Sequence, residues 1–382
     1  MSLVLSEDQQ LLQDSAKSFC LENAPVSQLR KLRDSKDATG FDRPLWQHMV
    51  QLGWAGMTVP EAYGGFEFGY GGLGVLLKET GRNLVSSPLV ATVLLGATAI
   101  NLLGNEAQKQ ALLPKIVSGD LLLALALDEH PIHAPTKIST SAVRSGSNYL
   151  LNGSKTFVVD GHVADQLIVV ARTAAAGDSP AGISLLLVDA KAAGVHITRT
   201  RMVDSRNAAN VEFKDVKVPA DALLGAVDCA FPAFDKVLDI ARIGLAAEML
   251  GSMQAAFDRT LDYLKQREQF GVLIGSFQGL QHRAAAMYSE LELCKSLVRA
   301  ALRALDDPEA TNKHIAQLAS AVKAKVSDVF TLVSNEAIQM HGGIGMTDEF
   351  DIGFYIKRAR VAQQFLGDAV FHRDRYATLQ GF

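Results

Sequence analysis

A guanidinium beside a glycine-containing turn can grip a phosphate through two parallel N–H donors. Residues 267–281 offer that arrangement. The run R-E-Q-F-G-V-L-I-G-S-F-Q-G-L-Q places Arg267, Phe270, Gln278 and several glycines in one short connection between long helical patterns. An ordinary helix–helix link with a solvated arginine would use R-x-Q-F-G equally well. The longer string R-x-Q-F-G-x-x-I-G-x-F-Q-x-x-Q is much more specific. A second grouping, Gln339, His341, Gly342 and Gly343, closes a later helical run. Glycine there lets main chain approach a ligand, and it equally serves as a plain helix C-cap. His341 reads as a helix-end cap. No histidines, His282 included, have metal-ligand spacing with a carboxylate, so no metal is expected.

The elements that must carry these groups belong to a chain of 382 residues, long enough for two or three packed domains. Hydrophobic residues make up 48% and charged residues 20%, which suits a globular protein. A net charge of −4 argues against a broad nucleic-acid or acidic-membrane surface. Cys20, Cys229 and Cys294 have neither disulfide nor zinc spacing and are expected as buried free thiols. The first residues lack a basic start followed by an apolar run. The least polar stretch, Leu89–Leu103, is too short and too polar to span a bilayer. A cytoplasmic location is expected.

Apolar spacing is helical from Ser6 to about Gly119, with Ser6 and Gln9 as a helix start. The glycine-rich segment 53–74 should break regular structure, with helix resuming over 76–84 and 88–103. Short β-rich runs follow at 121–127, 149–151, 156–159, 167–171, 183–188, 195–200 and 211–213. Turn residues Asn152-Gly153, Asp160-Gly161, 177–180 and Ala193-Gly194 separate them. From about Phe231 the helical period returns. Phe277, Leu280, Ala284, Met287, Leu291, Cys294, Val298 and Leu302 form a bundle seam. Asp307-Pro308 reads as the start of a helix to Met340, and a last helix runs toward Tyr376. The fold class is therefore α+β multidomain: an N-terminal helical domain (1–120), a middle β-barrel or sandwich domain (121–227) and a C-terminal helical bundle (228–382).

This order, with V-P-E-A-Y-G-G, L-N-G-S-K-T-F-V-V-D-G, L-L-L-V-D, V-E-F-K-D-V-K-V-P-A-D-A-L-L-G, the 267–281 run and Q-M-H-G-G-I-G-M-T-D-E, resembles the acyl-CoA dehydrogenases almost end to end. H-G-G-I-G-M-T and the F-L-G-D ending most resemble the small subunit of pimeloyl-CoA-type bacterial enzymes. The resemblance implies FAD bound between subunits of a tetramer, homomeric or with a paralogue. It also implies an acyl-CoA substrate oxidised to a trans-2-enoyl-CoA, and electron-transfer flavoprotein as electron acceptor. Arg267 matches a contact to the neighbour's FAD pyrophosphate, and Phe270 and Gln278 match further contacts to it. Gln339, Gly342 and Gly343 match the segment where main chain meets that cofactor.

The middle domain departs from the family pattern. L-D-E-H-P-I-H-A-P stands where many relatives have T-E-P-G-A-G-S-D, and F-V-V-D-G stands for W-I-T-N-G. Phe157 can still cover a flavin face, whereas Val159 cannot donate a side-chain hydrogen bond. The usual base positions are also altered. Leu366 and Ala241 occupy the places where relatives carry a glutamate, and neither side chain can take a proton. Asp368 is an alternative base and otherwise reads as a helix cap or cofactor contact. Asp128 and Glu129 lie in the divergent loop. On a helix Asp239 points about 200° away from position 241 and would pair with Arg242, while Glu248 lies about 10 Å along the axis and reads as structural. Three readings stay open: a dehydrogenase subunit, a flavin-dependent monooxygenase or oxidase of the same fold, and a non-catalytic subunit that completes a neighbour's FAD site.

Overall fold

The computed structural model describes residues 4–174, 177 and 179–382. Asp178, in the expected turn 177–180, lies outside the described residues. The helices are α1 (Glu7–Asn23), α2 (Val26–Asp34), α3 (Arg43–Gln51), α4 (Tyr70–Arg82), α5 (Thr98–Leu103), α6 (Glu106–Val117), α7 (Phe231–Gln266), α8 (Gln278–Asp306), α9 (Asn312–His341), α10 (Ile352–Gln364) and α11 (Ala369–Gln380). The strands are β1 (Leu123–Ala126), β2 (Ser141–Ser145), β3 (Asn148–Val159), β4 (Gln166–Arg172), β5 (Ile183–Asp189), β6 (Val195–Arg201), β7 (Asn207–Pro219), β8 (Leu223–Leu224), β9 (Glu268–Gln269) and β10 (Val272–Leu273). Helices, then strands, then helices is the expected order. The described residues form two compact units.

One unit comprises Leu32–Gly69 and Ser86–Ala241. Its centre is a sheet in the order β6-β7-β3-β2-β4-β5-β8, with β1 parallel to β4. Alternating residues of β3 and β7, such as Leu151, Val211 and Phe213, join Leu167, Val169 and Leu186 in the core. The Asn152-Gly153 turn expected from sequence is instead an irregular step inside β3, where register shifts between Leu151 and Gly153. Asn152 Nδ2 donates to Asp215 Oδ1 at 3.1 Å and Asn152 Oδ1 accepts from the Asp215 amide at 2.9 Å, so the side chain replaces ladder bonds and the strand continues. Strand β2, S-A-V-R-S, has little in its composition that favours a strand.

After β1 the chain is tied down by a buried ion pair. Lys155 Nζ donates to Glu129 Oε1 at 2.7 Å and to Leu127 O at 2.9 Å. Glu129 also accepts from the Ser139 and Thr140 amides at 2.7 and 2.9 Å. Burial alone would push the Glu129 carboxyl up, but Lys155 and Thr140 outweigh it and hold it below its usual range. Burial brings Lys155 down to about 8, with Glu129 opposing.

The other unit comprises Met1–Lys31, Tyr70–Val85 and Arg242–Phe382. Ser6 and Gln9 cap α1 reciprocally, as expected. Helix α4 starts at Tyr70, inside the segment expected to be irregular. The Asp306 carboxylate accepts from the Tyr70 and Gly71 amides at 2.7 Å each, supplying the cap that the local sequence lacks. A Cβ on Gly74 would stand 2.5 Å from Leu302, so this glycine serves packing. Helices α4 and α7 approach still more closely: a Cβ on Gly81 would meet Glu248 O at 2.1 Å, and one on Gly251 would meet Lys78 O at 1.8 Å. Glu248 pairs with Arg358 Nη2 at 2.7 Å, both buried.

Further boundaries differ from expectation. Asp307 ends α8, and α9 begins at Asn312 with Thr311 as its cap, because the Thr311 hydroxyl accepts from His314 N. The expected last helix is two helices, α10 and α11, broken by left-handed backbone at Leu366 and Gly367. Cys20 and Cys294 are buried, as expected, whereas Cys229 is exposed next to the start of α7. No helix among the described residues is long and apolar enough to cross a membrane.

Two substitutions test these constraints. Gly251→Ala forces backbone apart at the α4–α7 crossing and should cost about 1–3 kcal/mol in denaturant unfolding. Lys155→Met leaves Glu129 buried without its cation and should cost about 3–5 kcal/mol at neutral pH. Because the folded carboxyl is held low, its stabilisation is complete above the ordinary carboxylate range and lost as pH falls through the folded value. The gap between wild type and Lys155→Met should therefore narrow in acid, and a gap independent of pH would refute the pairing.

Candidate cofactor and thioester site

The 267–281 run folds as a hairpin. Strands β9 and β10 pair antiparallel, and Phe270 and Gly271 form the turn with φ of 55° and 76°. Positive φ at both central residues is the pattern of a type I′ turn, which normally favours Asn-Gly. Phenylalanine in the first position costs about 1–2 kcal/mol. Its ring is 92% exposed and touches Phe277 edge-on at 6.2 Å. The Arg267 carbonyl accepts from Ile274 N at 2.9 Å, which closes the hairpin base. The Arg267 side chain is exposed, with no hydrogen bond or ion pair among the described residues. Gln278, the first residue of α8, is exposed too.

An aromatic stack carries this hairpin on the end of α9. The Tyr263 ring lies 4.5 Å from that of His341, and the Phe350 ring lies 4.8 Å from His341 on the same junction. Arg267 follows Tyr263 by one helical turn, its amide donating to Tyr263 O at 2.9 Å. Gly342 directly follows His341. His341 Nδ1 lies 2.7 Å from Ala337 O, and burial lowers the ring's pKa, so it is a neutral helix-end group. Gly342 caps α9 with φ 62° and ψ −138°, a conformation only glycine adopts readily. Gly343 lacks that positive φ, and a Cβ at either glycine would meet nothing within 4 Å, so packing within this chain requires glycine at neither. Gln339 is exposed on the last turn of α9.

The turn between α10 and α11 carries the expected base position. Leu366 has φ 61° and Gly367 φ 101°. Leu366 O accepts from Arg242 Nε at 3.4 Å and faces His372 Nε2 at 2.9 Å. Gly367 O accepts from Lys323 Nζ at 2.8 Å. The Asp368 carboxylate accepts from Phe371 N at 2.8 Å and caps α11. The Leu366 side chain is 1% exposed and Ala241, on α7, is fully buried. Neither offers a proton acceptor.

In the sheet unit, register shifts between Lys155 and Val158, and Phe157 sits in the bulge with φ 54°. Bulges of this kind re-aim a side chain. Glu129 is engaged by three donors. Asp128 lies 2.9 and 3.2 Å from His133 Nδ1. Sequence reasoning missed Lys323, His372 and the His341 stack. The available signal for Lys323 was a charge on the apolar face of α9, between Ala319 and Val326.

These features suit a flavin dinucleotide. An exposed, unengaged guanidinium fits a pyrophosphate, an exposed aromatic tip fits a ring face, and a glycine with open space above it admits close main-chain approach.

Comparison with known proteins gives the family. The descriptions "Acyl-CoA dehydrogenase, N-terminal domain", "middle domain" and "C-terminal domain" match residues 6–120, 133–216 and 231–378. The chain is 33% identical to the probable acyl-CoA dehydrogenase YngJ of Bacillus subtilis over 371 residues, 95% of each chain. It is similar to a structure reported for the electron transferring flavoprotein of Acidaminococcus fermentans, with TM-score 0.91, 30% identity and complete coverage of both chains. It also resembles a chain of the ChsE4–ChsE5 complex of Mycobacterium tuberculosis, with TM-score 0.89, 25% identity and complete coverage of both. With helical, β and helical parts matched in turn, the chain belongs to the acyl-CoA dehydrogenases, FAD-dependent oxidoreductases that act on CH–CH bonds.

Proposed function

We propose that this chain is one subunit of a heteromeric acyl-CoA dehydrogenase that turns an acyl-CoA thioester into a trans-2-enoyl-CoA, its paralogous partner supplying the base. One observation carries this reading. The turn at the base position has left-handed backbone held by buried anchors, yet presents leucine where a proton acceptor is needed. Asp368 is committed to capping α11 and Glu129 to Lys155. The resemblance to a chain of the ChsE4–ChsE5 complex supports an assembly of unlike chains.

The reaction removes a proton from the α carbon of the thioester, and FAD, when bound, supplies the acceptor for the hydride leaving the β carbon. Arg267, Phe270 and Gln278 would hold the neighbouring subunit's FAD, Arg267 by neutralising its pyrophosphate. Gln339, Gly342 and Gly343 would bring main chain against the same cofactor. Phe157 would cover a flavin ring face. The Leu366 N–H survives the loss of the glutamate and would polarise the thioester carbonyl. Electrons would pass to an electron-transfer flavoprotein. The resemblance to a structure reported for an electron transferring flavoprotein supports this.

The chain purified alone should show no steady oxidation of butyryl-, octanoyl- or dicarboxylyl-CoA, and turnover should appear on co-expression with the partner. Robust turnover by the lone chain would sink the two-subunit reading. In the co-purified complex, Arg267→Ala should weaken FAD retention about tenfold or more, since a charge-assisted bond contributes about 1.5–3 kcal/mol. Unchanged flavin content, read from absorbance per subunit, would remove Arg267 from the cofactor site.

A further inference from the structure

Lys323 is fully buried on α9, and the function proposed above gives it no role beyond anchoring the turn. Its Nζ donates to Gly367 O at 2.8 Å, Gln363 O at 3.1 Å and Ser327 Oγ at 3.3 Å. Gln363 lies in the last turn of α10, where carbonyls have lost their helical partners. Gly367 directly precedes the cap of α11. A single ammonium therefore joins both sides of the turn that holds Leu366 left-handed. The Arg242 and His372 side chains fix Leu366 O, and Lys323 reaches from α9 to both ends.

Every neighbouring element brings charge to this position. Arg242 comes from α7, Arg358 from α10 and Asp368 from the head of α11. Arg358 is paired with Glu248, and Arg375 of α11 donates to Ser320 Oγ and Ala316 O. His372 of α11 is bonded to Leu366 O. Helix α8 meets α9 through the half-buried pairs Glu290–Lys325 and Arg283–Glu336. Burial lowers Lys323 to about 7, Arg242 and Arg358 acting the same way and Asp368 opposing.

We propose that Lys323 is a positioning residue: by tying the end of α10 to the head of α11 it sets the direction in which the Leu366 N–H meets a thioester, and loss of its proton slackens that turn. The thioester part rests on the function proposed above. An ammonium offers three donors to the three acceptors. A neutral amine keeps two, can accept from the Ser327 hydroxyl, and makes weaker bonds. Global stability moves in the opposite sense. The folded lysine has a lower pKa than the free one, so burial of its charge costs most below about 7 and the cost is relieved as pH rises toward 10.5. Above neutrality the chain should thus become more stable while its thioester preference declines. A scaffold residue would move both together.

The test uses the full chain and two probes, butyryl-CoA and free CoA, measured by calorimetry. Lys323→Met should weaken butyryl-CoA about tenfold, as expected for a lost charge-assisted bond, and free CoA less than about twofold. Deuterium uptake across residues 360–372 should rise without ligand. Equal weakening of both probes, or unchanged uptake, overturns the proposal. If the variant does not fold, the wild-type ratio of the two affinities decides. It should fall as pH rises through about 7, and a flat ratio overturns the proposal. Increased uptake in the variant with a wild type that binds neither probe supports the positioning of the turn and sinks the thioester reading.

Discussion

Two adjacent backbone carbonyls, Leu366 O and Gly367 O, hold the helical unit's site in shape. Donors from three helices converge on them: Arg242 from α7, Lys323 from α9 and His372 from α11. Left-handed backbone is costly for leucine, and it persists when surrounding structure over-determines it. Breaking the chain between α10 and α11 here lets Asp368 cap the second helix. Buried cations need compensation, which the neighbouring carbonyls, Glu248 and Asp368 supply. The turn and its charges therefore depend on one another.

The close contact of α4 with α7 provides the rigid frame behind that turn. Glycines on both helices bring main chain against main chain, and Glu248, one turn before Ser252, links the crossing to Arg358 on α10. At the far end of α7 the Tyr263–His341–Phe350 stack carries the hairpin. Long helices thus convey position from a buried crossing to an exposed tip.

Much of this was legible in the residues because it is local. The α1 cap, the glycine stop after His341, the α8 seam and the order of helical and β parts each depend on short-range pattern. What escaped was long-range. The start of α4 depends on Asp306, more than two hundred residues away, and the Asn152-Gly153 step stays in strand because of Asp215. Proline after Asp307 gave a strong local signal for a helix start, but Thr311 provides the working cap. Arg267 stands out in the sequence by type and spacing, whereas the absence of a glutamate at positions 366 and 241 follows only from the family resemblance. The signal at Lys323, a charge between apolar positions of α9, says nothing of the two distant carbonyls that it meets.

The hairpin tip carries an entropic consequence. A phenylalanine as exposed as Phe270 on a floppy loop would sample many orientations and lose them all on being covered. Here paired strands and a positive-φ turn fix its backbone before any contact forms. Part of the ordering cost is met during folding of the chain itself, so whatever surface receives the ring meets a preorganised probe, and its binding free energy is less eroded by lost freedom.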